Sequence, residues 1–86
     1  MTILEMNIYN TLLAVEAEKA ERNIEPTHTL VIRDRLRERV TMAISMPVSE
    51  VELEASLQHL AKEGRINIGN TINDTYVAIN YFNFYH

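Results

Sequence analysis

The chain has no cysteine, and with that absence go disulfides, thiolate nucleophiles and zinc sites of the usual cysteine type. A reducing compartment is expected, and the chain reads as cytoplasmic. Glycine is scarce: Gly64 and Gly69 are the only two, too few for a Gly-rich phosphate loop. Two prolines and an apolar content of 47% indicate folded rather than disordered chain. No run approaches the ~18 apolar residues of a membrane span. The opening MTILEMNIYN has no basic n-region and carries Glu5 inside its apolar stretch, so neither secretion nor membrane insertion is expected. Positive charge is also short. Eight Lys and Arg against twelve Asp and Glu leave a formal net charge of −4, whereas phosphate neutralisation dominates DNA affinity. Charge therefore argues against a dedicated DNA binder.

What remains is enough for one domain of 86 residues with one modest core. A chain this short buries about 60% of its unfolded surface, so a second copy or another partner would add needed stability. From Thr2 to Arg22 there is no Pro or Gly, and helix formers dominate, which predicts one long first helix. At 100° per residue its apolar side chains fall on two stripes. Leu4, Ile8, Leu12 and Val15 share one; Met6, Tyr9, Leu13, Ala17 and Ala20 share another, with Glu5 and Glu16 between them. The second stripe is a candidate dimer face. Pro26 disfavours helix at Glu25 and closes the element, leaving a turn or short strand over residues 23–29.

A second helix is predicted from about Leu30 to Ile44, capped by Thr29, with Ile32, Leu36, Val40 and Ala43 on its inner stripe. Arg33, Arg35, Arg37 and Arg39 alternate along it. Spacing by two sends Arg33 and Arg37 to one flank of the stripe and Arg35 and Arg39 to the other, so they do not form one patch. Asp34 and Glu38 lie within i,i+3 reach of Arg37 and Arg35, which predicts a solvated, salt-bridged face.

The most informative stretch is PVSEVELEASLQHLAKEGRI, residues 47–66. Ser49 followed by Glu52 is a capping box, and Val48 with Leu53 stands at staple spacing, so a third helix begins at Ser49. It runs to about Glu63, where Gly64 supplies the left-handed residue that ends it. Leu53, Leu57, Leu60 and Ala61 form its buried stripe, which leaves Val51, Glu52, Ala55, Gln58, His59 and Lys62 outward. Ile66 and Ile68 then alternate with polar residues, Gly69 to Thr75 turns, and Tyr76 to Tyr81 alternates back. That pattern is a hairpin.

Helix, turn, a helix opened by V-S-E-V-E-L and closed by L-x-x-L-x-x-x-G-R-I, then a hairpin, resembles the winged helix-turn-helix superfamily found in many bacterial regulators. The resemblance covers roughly residues 25–81 and rests most on Leu57, Leu60, Gly64 and Ile66. It implies a mainly α fold with a small β-hairpin (α+β), a three-helix winged domain over residues 1–86. The first helix lies in 1–24, the helix-turn-helix in 25–66, the wing in 65–81 and an aromatic tail in 82–86. In a DNA-reading member the third helix enters the major groove and the wing touches phosphate. By position the readers here would be Glu50, Val51, Glu52, Glu54, Ala55 and Gln58, with Asn70, Thr71 and Asn73 on the wing. The departure is large: three carboxylates sit where phosphates would approach, and the wing tip has no Lys or Arg.

Catalysis finds no support in the residues, and no enzyme, cofactor or small-molecule substrate is expected. His28, His59 and His86 have no setting that marks them as bases. His59 and Glu63 lie four apart and could in principle hold a metal, but two ligands are too few, so no metal site is expected. The tail Tyr81-Phe82-Asn83-Phe84-Tyr85-His86 is unusually apolar; it either folds back over the first helix or meets a second copy, and the sequence does not choose. The function expected is a winged-helix interaction module. It would be a homodimer or bind another protein, through Met6, Tyr9, Leu13, Ala17 and Ala20 or through the face Val51, Ala55, Gln58, His59 and Lys62. The alternative is a DNA-binding regulator that docks through Arg33 and Arg37 of the second helix.

Overall fold

Apolar residues recurring at helical spacing on three segments, and at strand spacing on two more, close around one core in the computed structural model, which describes residues 1–22, 31–70, 72 and 74–80. The elements are α1 (Ile3–Glu21), β1 (Val31–Ile32), α2 (Arg33–Ile44), α3 (Glu50–Lys62), β2 (Ile66–Asn70) and β3 (Thr75–Ile79). β2 and β3 form an antiparallel hairpin, with Ile66 opposite Ile79 and Asn70 opposite Thr75. β1 pairs on the free side of β3, giving the order β1-β3-β2. Three helices with an antiparallel hairpin make a mainly helical α+β fold, in an arrangement compatible with a winged helix.

Each helix contributes one stripe to the core. Ile8, Leu12 and Val15 of α1, Leu36 and Val40 of α2, and Leu53, Leu57 and Leu60 of α3 are buried together with Val48, Ile66, Val77 and Ile79. Leu4 packs on the edge of this cluster, completing the first α1 stripe. The boundaries of α3 follow from its ends. Ser49 Oγ accepts from the Glu52 amide at 3.1 Å. At the other end Gly64 adopts φ 76°, its amide donating to Ala61 O and the Arg65 amide to Leu60 O, each at 3.0 Å. This is the six-to-one, five-to-two closure that only a left-handed residue allows cheaply, and it turns Ile66 back into the core. Ser49→Ala is expected to lower stability by ~1 kcal/mol, visible as a reduced urea midpoint with the slope unchanged.

Three sequence expectations shift. The β-branched pair Val31-Ile32 is strand, paired with Val77 and Tyr76, so α2 begins at Arg33 rather than Leu30 and Ile32 does not belong to its stripe. Ala43 is exposed, and Ile44 packs against the core in its place, continuing the i,i+4 row Leu36, Val40, Ile44. β2 extends through Gly69 to Asn70, which shortens the predicted turn. The predicted turn over 23–29 with its Thr29 cap, His28, the wing residues Thr71 and Asn73, the end of the last strand at Tyr81 and the aromatic tail lie outside the described residues.

Candidate functional site

The outward face predicted for α3 is outward in the structure: Val51, Ala55, Gln58, His59 and Lys62 are all exposed, Val51 by 80%. Its acids are not free. Glu54 Oε2 accepts from Arg33 Nη1 at 3.1 Å, and Glu50 Oε1 from Arg37 Nη1 at 3.2 Å. The two arginines of the α2 flank therefore turn toward α3, Arg37 in place of the in-helix pair expected with Asp34. Glu54 also accepts from Gln58 Nε2 at 3.0 Å. On the other flank Arg39 grips Glu18 of α1 through two bonds of 2.9 and 2.8 Å, which lowers the pKa of Glu18 and raises that of Arg39. Between α2 and the start of α3 lies an open groove of about 650 Å³, lined by Asp34, Arg37, Glu38, Thr41, Met42 and Glu50. Its charges are mixed, and it lacks the enclosure that separates the pKa values of an acid–base pair.

The candidate dimer stripe of α1 divides. Met6, Leu13 and Ala17 are exposed, whereas Tyr9 leans onto the core; the Ala20 side chain lies outside the described residues. Burial raises the Tyr9 pKa accordingly. Further exposed apolar side chains stand at Met42, at Met46 and between the two hairpin strands, where Ile72 is fully exposed.

A cluster that sequence reasoning missed joins the start of α1 to the last turns of α3. Glu5, expected to separate two stripes on the surface, is 3% exposed. Its Oε1 accepts from the Thr2 amide at 3.0 Å while Thr2 Oγ1 accepts from the Glu5 amide at 3.1 Å, a reciprocal capping box. Its Oε2 meets His59 Nδ1 at 2.5 Å, and the far nitrogen of the same ring, Nε2, faces Glu63 Oε1 at 3.2 Å. Arg65 Nε holds the other Glu63 oxygen at 3.0 Å. The His59 bond, followed by the Thr2 amide bond, outweighs burial and holds the Glu5 carboxyl down at about 2. The sequence signal was Thr2-x-x-Glu5, the same motif that marks the start of α3.

No helix among the described residues is long and apolar enough to cross a membrane. The chain matches no family model, no curated protein and no solved structure in the comparisons made with them.

Proposed function

We propose that this chain is a winged-helix binding module that works by protein–protein contact, self-association foremost, and not by chemistry on a substrate. The observation that carries this reading is the pairing of Glu50 and Glu54 with Arg37 and Arg33 around an exposed Val51. On a helix that would read a major groove, these pairs leave carboxylates, amides and apolar surface, and they engage the two arginines that an atypical DNA mode would need. Phosphate would have to compete with a carboxylate at each arginine. The exposed Met6 and Leu13 on α1, and the fully exposed Ile72 on the wing, offer apolar area of the kind a partner covers.

Sedimentation of the unmodified chain should show a concentration-dependent mass above the 10.0 kDa of one copy. Leu13→Glu should return it to the monomer mass with the helical signal retained. A monomer at high concentration overturns self-association. Random duplex DNA at physiological salt should bind no tighter than ~10⁻⁴ M, the weak end of non-specific affinity. Micromolar binding with a steep salt dependence, abolished by replacing Arg33 and Arg37 together, would establish the DNA reading instead.

A further inference from the structure

The pair His59 and Glu63 has too few ligands for a metal, but the fold brings it a third. Glu5 arrives from α1, and one ligand atom from each of Glu5, His59 and Glu63 lies within 4.8 Å of the others. Two carboxylates and one imidazole form a donor set suited to borderline divalent ions of the zinc class. We propose that Glu5, His59 and Glu63 form a binding site for a divalent transition-metal ion, which ties the first turn of α1 to the last turns of α3.

Hydrogen bonds from outer partners to both carboxylates add to this proximity. Each carboxylate has one oxygen held by an outer partner and the other turned toward the ring, Glu5 Oε2 toward Nδ1 and Glu63 Oε1 toward Nε2: the Thr2 amide holds Glu5 Oε1, and Arg65 Nε holds Glu63 Oε2. Outer partners of this kind fix ligand direction in metal sites. Glu5 is the rigid member, buried and anchored by its capping box, while His59 and Glu63 sit near the surface at i,i+4 on one helix. Ligand atoms about 2.0–2.2 Å from a tetrahedral ion stand roughly 3.4 Å apart, so the 2.5 Å contact between Glu5 Oε2 and His59 Nδ1 must open by about an ångström and the exposed Glu63 side chain, which faces Nε2, must swing toward the same ion. The ion takes one imidazole nitrogen and the Glu5 oxygen that now faces it; any proton carried on that nitrogen leaves to solvent. A fourth position stays open to water.

The test is calorimetric titration of the full chain with zinc chloride at pH 7.5, beside its Glu63→Gln, His59→Ala and His28→Ala/His86→Ala variants. Glu63→Gln alters a surface residue and leaves the buried anchor intact; its unchanged metal-free melting curve will show that it folds. We expect one ion per chain. Affinity should fall in Glu63→Gln by at least the ~10–100-fold that loss of an outer partner alone causes, vanish in His59→Ala, and persist in the His28/His86 variant. Absence of binding to the unmodified chain, or binding that survives His59→Ala and disappears in the His28/His86 variant, overturns the site.

Discussion

Leu57→Ala should cost ~2–5 kcal/mol, enough to unfold a large fraction of the molecules at moderate denaturant. Leu57 is fully buried at the middle of the α3 stripe, in one cluster with Ile8 and Leu12 of α1, Leu36 and Val40 of α2, and Ile66 and Val77 of the sheet. The cavity that truncation would leave lies in the core that all three helices and the sheet share, and close packing resists its filling. A domain of this length has about 4–13 kcal/mol of net stability, so the loss is a major share of the total. Urea unfolding followed by circular dichroism measures it as a lowered midpoint at constant slope. Val51→Ala, six residues earlier on the opposite face, should change stability by less than ~0.5 kcal/mol. The same two variants separate folding from recognition: Val51 should matter only where a partner covers it. A Leu57→Ala midpoint equal to that of the unmodified chain would mean that α3 is rotated about its axis relative to the structure.

The elements legible in the sequence are those specified by neighbours in the chain. α3 was readable from Ser49 to Gly64 because its cap, stripe and stop are all local signals, and the hairpin followed from alternation on either side of Gly69. Pairings across the chain were not legible. His59 and Glu5 are 54 residues apart, and no local pattern announces that α1 crosses α3 with its first turn beside His59. For the same reason spacing along α2 points Arg37 to Asp34, whereas the acids that meet Arg33 and Arg37 lie 21 and 13 residues downstream on α3. A two-residue strand such as β1 has too few positions to show a period, and its register is set by β3. The capping box at Thr2 and Glu5 is a different case: the motif is present in the sequence, but helical periodicity alone makes Glu5 a polar divider between two apolar stripes.

Glu5→Gln should flatten the acid side of the stability profile between about pH 5 and pH 2. The Glu5 carboxyl ionises at about 2 in the folded chain against 4.5 without its partners, held down first by His59 and then by the Thr2 amide. A folded pKa below the unfolded one means that the stabilisation is complete above 4.5 and is lost as pH falls toward 2. A shift of that size corresponds to ~3 kcal/mol undiluted. The cover over Glu5 is thin, made by its own first turn and a half-exposed imidazole, so solvent screens the pair and we expect ~1–2 kcal/mol. Glutamine keeps an oxygen for the Thr2 amide, so the substitution removes the charge facing His59 while leaving the cap. Thr2→Ala removes the hydroxyl that accepts from the Glu5 amide but keeps both the Thr2 amide bond to Glu5 Oε1 and the charge facing His59, so it should leave most of the acid-side profile in place. Glu63, across the ring, and Arg65, which grips Glu63, remain in both variants. Glu18, lowered by Arg39, steepens the acid limb of every variant alike, and Glu16, whose buried Oε1 lacks a hydrogen-bond partner and whose pKa burial raises, works in the opposite sense. The measurement is urea unfolding across that pH range with chelator present, so that no metal competes for His59. If Glu5→Gln and the unmodified chain lose stability in parallel down to pH 2, the contact between α1 and α3 at His59 is not an ion pair in solution.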